Sequence, residues 1–239
     1  MAVIIKGTVK ITRPIVPTDI AGLQLWLDAS DSTTLFQNSD GTTPAIADSD
    51  PIGYWGDKSG NGKNATQSNS TKKPLLKLAL QNGKNVVKAD GINDLITTST
   101  GIVVAQPFDY YIVLKFNSIN TTDRVICGGN DAGNLDGTTL PGWNVYSFAL
   151  LTGGTRSAST TLVSVRYNST SSILRANGNQ ILTGNAGTGV PTTISLFGNV
   201  AGNDPGDLQI CEYLLYNSAL SDANRNLVES YLNTKWGVY

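Results

Sequence analysis

The sequence contains no histidine and only two glutamates, Glu212 and Glu229. Without histidine, the chain cannot form a Ser-His-Asp or Cys-His catalytic arrangement. Its two cysteines, Cys127 and Cys211, are too few for a disulfide-rich scaffold and offer no metal-ligand spacing. We expect both to be buried thiols, and a disulfide between them stays an alternative.

Charged residues are also scarce, at 15% of the chain, and the net charge is −1 with no run of lysine or arginine. Binding to nucleic acid or to an anionic membrane surface needs such a basic patch. No stretch approaches the roughly 20 apolar residues of a membrane span. The first residues lack the apolar run and cleavage site of a secretion signal. We therefore expect no nucleic-acid partner, no membrane partner and no signal peptide.

What the sequence does contain is typical of a β-protein: it is 40% hydrophobic and has many Thr, Ser, Asn and Gly residues. Short apolar segments alternate with polar turns, as in residues 173–176 and 180–182, which flank Asn177-Gly178. Residues 110–116 are the strongest apolar run and predict a central strand. Residues 37–51 and 128–142 are predicted loops. The pattern predicts one all-β domain built as a sandwich or barrel.

One helix is predicted near the end of the chain. Ser221 is a suitable N-cap, and Gly237 is a suitable helix stop. The spacing also allows Arg225 and Glu229 to pair. A single apolar stripe follows the i, i+3 and i+4 pattern: Leu220, Leu227, Val228, Tyr231, Leu232 and Trp236. The helix is therefore expected to cover one face or end of the sandwich.

The first eleven residues alternate like a half-buried strand. The predicted apolar face consists of Val3, Ile5, Val9 and Ile11. Pro14 and Pro17 then interrupt the pattern, since proline cannot donate to a strand ladder. We divide the chain into an arm, residues 1–20, and a sandwich domain, residues 21–239. The arm either adds a strand to a neighbouring subunit or forms an extra edge strand of the same sandwich.

Several segments in order resemble one family. They are "LQLWLDASD", "GDKSGNGKNATQ", "VKADGINDLI", "ILRANGNQI" and "GDLQICEYLLYNSALSDANRNLVESYLNTKWG", which together span Leu23 to Gly237. In this order they are similar to LamG-like, concanavalin A-like jelly-roll domains. The resemblance implies two curved antiparallel sheets. It also implies a setting among phage structural proteins or secreted bacterial proteins, whose members bind sugars, proteins or metals, hydrolyse glycans, or build assemblies.

The glucanases of this superfold carry Glu-x-Asp-x-x-Glu on one strand, because retaining hydrolysis needs two carboxyl groups about 5–5.5 Å apart. In this chain, Glu212 is followed by Tyr213, Leu214 and Leu215. The pair is missing. We therefore expect no catalytic residues and no enzymatic activity, and we expect Glu212 to be a hydrogen-bonded carboxylate at the sandwich edge or the helix.

Calcium is the one cofactor that the sequence allows, because several turns are rich in oxygen ligands. The first candidate set is Asp90, Asn93 and Asp94. A second is Asn130, Asp131, Asn134 and Asp136. The alternative is that all of these residues form turns through bonds between side chain and backbone.

Glycan binding normally combines an exposed aromatic ring with Asn or Asp side chains. The predicted loop at residues 128–142 supplies such a set, whose members are Asn130, Asp131, Asn134, Asp136 and, just beyond the loop, Trp143. The alternative for Trp143 is a place in the core or at the rim.

These observations favour a non-enzymatic structural protein at the virion surface, such as a capsid decoration, fibre or tail module. Its N-terminal arm would bind other virion proteins or copies of itself, and the sandwich would display a surface for host polysaccharide. The alternatives are a glycan-binding adhesin, extracellular or on a bacterial cell surface, and an endo-β-glucanase.

Overall fold

The computed structural model describes residues 3–5, 8–10, 13–99, 101–119, 123–137, 142–199, 201–202 and 204–239, with side chains from residue 13 onward. The described residues form one helix, α1 (Asp222–Trp236), and a series of short strands. The strands are β1 (Val3–Ile5), β2 (Thr8–Lys10), β3 (Leu23–Asp28), β4 (Leu35–Phe36), β5 (Tyr54–Trp55), β6 (Ala65–Thr66), β7 (Leu75–Gln81), β8 (Lys84–Lys88), β9 (Ile96–Thr98), β10 (Phe108–Phe116), β11 (Asp123–Gly128), β12 (Ala132–Gly137), β13 (Trp143–Ser147), β14 (Leu150–Gly153), β15 (Thr161–Tyr167), β16 (Ser172–Ala176), β17 (Asn179–Gly184), β18 (Ile194–Leu196) and β19 (Leu208–Tyr216).

Two antiparallel sheets form the body of the protein. The middle sheet has the order β17-β16-β15-β10-β19-β8-β7, with β3 also paired to β19. The outer sheet has the order β14-β13-β12-β11-β18-β9-β6-β5-β4. The predicted two-sheet jelly-roll sandwich is therefore confirmed.

The main hydrophobic core lies between the two sheets. Strand β10 illustrates how the core is built. Its alternate residues, such as Tyr110, Ile112 and Leu114, belong to this core and are almost fully buried. Its intervening residues Tyr111 and Val113 belong to a second core on the other face. The predicted central position of this strand is confirmed, since it pairs with both β15 and β19.

The helix α1 covers that other face of the middle sheet, so the body has three layers. Ser221 Oγ accepts a hydrogen bond from Asn224 N at 3.2 Å, and Gly237 ends the helix in the left-handed conformation. Both predicted caps are confirmed. Two details of the sequence prediction are wrong: Leu227 is 42% exposed, and Glu229 pairs with Arg175 of β16 instead of with its helix neighbour.

The N-terminal segment differs from the single strand that the alternation predicted. Residues 3–5 and 8–10 form a small antiparallel hairpin in which Val3 pairs with Lys10 and Ile5 pairs with Thr8. Among the described residues, this hairpin pairs with no strand of the two large sheets, so the edge-strand alternative is wrong. Val9, which was predicted to share one apolar face with Val3 and Ile5, lies on the second strand of the hairpin. Ile11 lies outside the described residues.

The predicted connector packs more closely on the body than its prolines indicated. Pro17 and Ile20 are buried, and Ile20 belongs to the core beneath α1. The hydroxyl of Tyr216 donates a hydrogen bond of 3.1 Å to the carbonyl of Pro17. Pro17 and Ile20, which the prediction placed in the arm, therefore pack against the body, and the arm itself stays a prediction.

Residues 128–142 are not one loop, because they contain β12, which pairs with β11 and β13. Both cysteines are confirmed as buried thiols with no disulfide between them; Cys127 lies on the outer sheet and Cys211 on the middle sheet beneath α1. No helix in the described ranges is long and apolar enough to cross a membrane.

Candidate carbohydrate-binding turn

Two hairpin turns of the outer sheet meet at one end of the sandwich. The ladder between β12 and β13 ends at the pair Ala132 and Ser147. Asp131 precedes Ala132 and Phe148 follows Ser147. These two residues therefore lie on adjacent turns, one residue beyond the last ladder pair. Asn130 and Asp131 both have positive φ angles, 65° and 52°.

Phe148 presents an aromatic ring to solvent, since its side chain is one of the most exposed large apolar groups at 59%. Its backbone has φ +79°. Such a conformation costs a bulky residue roughly 1–3 kcal/mol and persists only where the surroundings impose it. Strain of this kind is concentrated at binding and active sites.

The surroundings that impose this conformation are hydrogen bonds to the neighbouring loop, residues 185–193. The amides of Ser147 and Ala149, on either side of Phe148, both donate to the carbonyl of Ala186, at 2.7 and 3.2 Å. The Ser147 hydroxyl donates to the Gly189 carbonyl at 3.0 Å. The turn is therefore held rigidly at both ends of the aromatic residue.

Gln106 fixes this loop from the other side. Its Nε2 donates to the carbonyls of Gly187 and Gly189 at 3.0 and 3.1 Å, while its Oε1 accepts a 2.6 Å hydrogen bond from the amide of Ser169. One half-buried amide side chain thus ties three segments together beside the turn.

Gly187 makes this packing possible, because a Cβ atom there would lie 2.0 Å from the carbonyl oxygen of Ser147. We predict that Gly187→Ala lowers the free energy of unfolding by about 1–3 kcal/mol, measured by urea denaturation. Gly60→Ala is the matched control, since Gly60 has the same φ of +89° with nothing within 4 Å of the added atom. Equal losses in the two variants would show that steric contact with the turn is unimportant.

The five residues predicted to bind glycan are only partly brought together at this turn. Asn130 and Asp131 are exposed there. Asn134, which is fully buried, donates to Asp131 and accepts a 3.0 Å bond from Gly128 N. Asp136 is 5% exposed and lies 3.3 Å from Arg124, and burial raises the pKa of its carboxyl group to about 7.

Trp143 takes the core position that the sequence analysis gave as the alternative to glycan binding. Its side chain is only 1% exposed and packs against Phe116 with ring centroids 5.6 Å apart. The reason is strand phase: Trp143 and Val145 on β13 point into the core. The exposed ring comes instead from Phe148 in the following turn, which the sequence analysis missed. Phe148 stands between two apolar segments of the sequence, and such a position is typical of a core residue.

The predicted calcium residues Asp90 and Asp94 border a different feature, a surface cavity of about 320 Å³. Asp90 Oδ1 accepts a 2.8 Å bond from the amide of Ile92, and Asp94 Oδ2 accepts a 3.1 Å bond from the amide of Asp90. These are the contacts of the turn-forming alternative. Asn93 is not among the residues that line the cavity.

Neither predicted calcium set gains support. Within the part of the chain that the structure describes, no three His, Cys, Asp or Glu side chains are arranged to hold a metal ion. Beside the second set, Arg124 places a positive charge among Asp131, Asp136 and Asp204, at 3.3–3.7 Å. Calcium binding stays a prediction.

Asp94 gives a pH-dependent prediction. Burial, followed by the charge of Asp90, raises the pKa of this carboxyl group to about 7. The folded protein therefore holds a proton between about pH 4 and 7 that the unfolded chain releases, so the Asp94 contribution to stability falls as pH rises through this window.

The variant Asp94→Asn does not titrate and keeps an oxygen that can accept the amide bond. We expect it to match the wild type near pH 4 and to exceed its free energy of unfolding by at least about 1.4 kcal/mol at pH 8, the value of one pKa unit. Urea denaturation at both pH values measures this. A difference that is the same at both would contradict the prediction.

Glu212 is a structural carboxylate, as the sequence analysis expected. It is fully buried and accepts hydrogen bonds from Trp26 Nε1 and Trp236 Nε1, both at 2.6 Å, and from the Tyr231 hydroxyl at 2.9 Å. Lys235 Nζ lies 2.8 Å from Glu212 Oε2, the oxygen that Trp236 also contacts, and 2.7 Å from Asp28. Burial, followed by the charge of Asp28, raises the pKa of Glu212. Every bond goes to the layer between the middle sheet and α1.

No protein-family model matches the sequence. No curated protein matches it either.

Solved structures do match the fold. Trypanosoma rangeli sialidase aligns with a TM-score of 0.59 and 13% identity over 94% of this chain, which spans about a third (36%) of the sialidase chain. The binding domain of botulinum neurotoxin serotype D aligns with a TM-score of 0.58 and 15% identity over 87% of this chain and 51% of its own.

Domain 4 of AbnA, an extracellular arabinanase of Geobacillus stearothermophilus solved in complex with arabinotriose, aligns with a TM-score of 0.57 and 13% identity over 87% of this chain and 97% of its own. Identities this low show a shared fold and no more. The chain therefore shares a jelly-roll β-sandwich fold with these proteins, while its assignment to the concanavalin A-like, LamG-type group stays a prediction.

Proposed function

We propose that this chain is a carbohydrate-binding β-sandwich module that recognises glycans with the Phe148 turn and has no enzymatic activity. One observation carries the proposal: Phe148 is 59% exposed in a strained backbone conformation, directly beside the polar turn of Asn130 and Asp131. Among the described residues, the other phenylalanine and tryptophan rings are buried except that of Phe36, which is partly buried, so the outward position of Phe148 needs a reason.

The chemistry of the turn suits a sugar. A sugar ring has an apolar face of C–H groups that can stack on an aromatic ring, and hydroxyl groups at its edge that need hydrogen-bond partners. Phe148 supplies the first contact. The exposed carboxylate of Asp131 and the amide of Asn130 supply acceptors and a donor for the second. Because the turn is already held in place, little conformational entropy is lost on binding.

Two of the structural neighbours are consistent with this proposal by analogy. The arabinanase domain was solved with arabinotriose bound, and the Trypanosoma rangeli sialidase has been solved with sialic acid. At 13–14% identity, such analogies support the class of ligand and carry no residue across.

The proposed absence of catalysis is supported by the residues themselves. The chain has no histidine, and Glu212 is committed to the contacts beneath α1. On the Phe148 turn, Asp131 is the one acidic residue, so the turn lacks the pair of carboxyl groups that glycoside hydrolysis normally requires.

A glycan array tests the proposal. The full chain, carrying a fluorescent label, is applied with calcium and with a chelator. We expect binding to a defined set of glycans. Equal binding with calcium and with the chelator would show that glycan binding does not need calcium. Silence in both conditions would overturn the proposed function. Release of reducing sugar from β-glucans would overturn its non-enzymatic part.

We further propose that the module is displayed on a virus particle, and the alternative is a bacterial surface adhesin. The supporting observation is the N-terminal hairpin, which the described strands of the two large sheets leave unpaired. Its strand edges can pair with another virion protein or with a second copy of the chain.

Deletion of residues 1–12 tests this setting. The deletion should leave a folded sandwich that no longer joins its assembly, and unimpaired incorporation would contradict it. The cut is placed before residue 13 because Pro17 and Ile20 are buried against the body, so that removal of residues 1–20 would also damage the fold.

A further inference from the structure

The cavity of about 320 Å³ lies on the edge of the middle sheet formed by β7 and β8. This volume is at the lower end of the range of small-molecule sites, about 300–1,000 Å³. Its lining combines apolar and charged groups. They are Leu75 and Lys77 of β7, Lys88 of β8, Asp90 and Asp94 of the turn that follows β8, and Asp207, which precedes β19.

Gly91 brings the carboxylates of this cavity together. It has φ +74°, and a Cβ atom there would lie 2.7 Å from the Cβ atom of Asp207. No other residue type fits this approach without displacing the chain. The turn that carries Asp90 and Asp94 is therefore packed directly against Asp207.

The charges of the lining are unbalanced. Lys77 Nζ lies 3.0 Å from Asp48 and is paired outside the carboxylate group. The carboxylates of Asp90, Asp94 and Asp207 then have Lys88 as the one other cation among the lining residues. Asp94 is only 6% exposed, and the described residues donate to its Oδ2 but not to its Oδ1. Asp94 Oδ1 is not one of the buried, unsatisfied side-chain atoms of the described residues, so it reaches solvent in the cavity and can accept a hydrogen bond from a ligand.

We propose that this cavity binds a saccharide that carries a primary amine, with the ammonium group bonded to Asp94 and Asp90. A metal ion fits less well, because the described acidic groups are not arranged to hold one and two lysines line the space. An ammonium group donates three hydrogen bonds and supplies the missing charge. The remaining volume accommodates a sugar ring, whose hydroxyl groups can reach Lys88 and Asp207. This site is independent of the Phe148 turn.

The test uses two probes that differ in charge, a trisaccharide of glucosamine and its N-acetylated counterpart. The full chain, labelled with ¹⁵N, is titrated with each at pH 7 and followed by amide chemical shifts. We expect the glucosamine trisaccharide to shift the amides of residues 88–94 and 207, and the acetylated one to leave them unchanged. Asp94→Asn should weaken binding at least tenfold, whereas Asp40→Asn, in an exposed loop away from the cavity lining, should not.

Each other outcome overturns the proposal. Equal shifts with both probes would show that the amine is not recognised, and no shift with either would show that the cavity is not a site for this class. Calcium chloride alone shifting the same amides would assign the cavity to a metal. Repetition with Phe148→Gly separates this site from the proposed function, since binding here must survive that change.

Discussion

Replacing Glu212 with alanine is expected to lower the free energy of unfolding by about 3–5 kcal/mol, the usual cost of removing one partner from a buried charge network. The loss has a specific cause. The buried indole N–H groups of Trp26 and Trp236 would lose their acceptor, and Lys235 would keep Asp28 as its only carboxylate partner among the described residues. Since Trp26 lies on β3 and Trp236 on α1, the helix would lose its main polar attachment to the sheet.

Urea denaturation followed by tryptophan fluorescence measures this loss. Glu212→Gln is the matched control, because glutamine keeps the size of the side chain and one acceptor oxygen. We expect it to lose less than the alanine variant. A loss below about 1 kcal/mol for Glu212→Ala would contradict the role given to this carboxylate.

Replacing Phe148 with glycine is expected to weaken glycan binding at least thirtyfold, which corresponds to the roughly 2 kcal/mol of a binding hot spot. The same change is expected to raise the free energy of unfolding by about 1 kcal/mol. The reason is that glycine adopts φ +79° without the strain that phenylalanine bears there. Opposite signs for binding and stability distinguish a binding residue from a structural one.

Isothermal titration with the glycan selected on the array, together with urea denaturation, gives both quantities. Phe148→Tyr is the control, since it keeps the ring and the strain and should keep the affinity. A glycine variant that is less stable than the wild type would show that the ring serves the fold. A glycine variant with unchanged affinity would remove Phe148 from the site.

The fold was predictable where local signals agree with tertiary packing. The hairpin at Asn177-Gly178 is one case, because both residues have the positive φ angles that this turn requires. The helix is another, because its cap, its stop and most of its apolar stripe follow from residue types whose preferences hold in any protein.

Other elements depend on contacts that no local pattern contains. Strand β12 is composed largely of turn-forming residues and becomes a strand because β11 and β13 pair with it on both sides. The N-terminal alternation could not distinguish one strand from a hairpin, since a period of two is typical of a single strand and of the two paired strands of a hairpin alike.

The site was predictable in composition and not in detail. The sequence identified Asn130 and Asp131 as polar groups on a turn, and this is where the structure places them. It assigned the aromatic contact to Trp143 because this residue stands at the end of the predicted polar loop. Trp143 and Phe148 are five positions apart. The phase of β13 determines that Trp143 is the buried ring of the two. The cavity beside Asp94 also depends on Asp207, which the fold alone brings near.

The most direct test of the central claim is to find where a glycan contacts the protein. The glycan selected on the array is titrated into the ¹⁵N-labelled full chain, and the amide shifts are mapped onto the structure. The account predicts shifts at residues 130–131, 147–149 and 186–189. Shifts confined to the face covered by α1 or to the N-terminal hairpin, with none at the Phe148 turn, would contradict it.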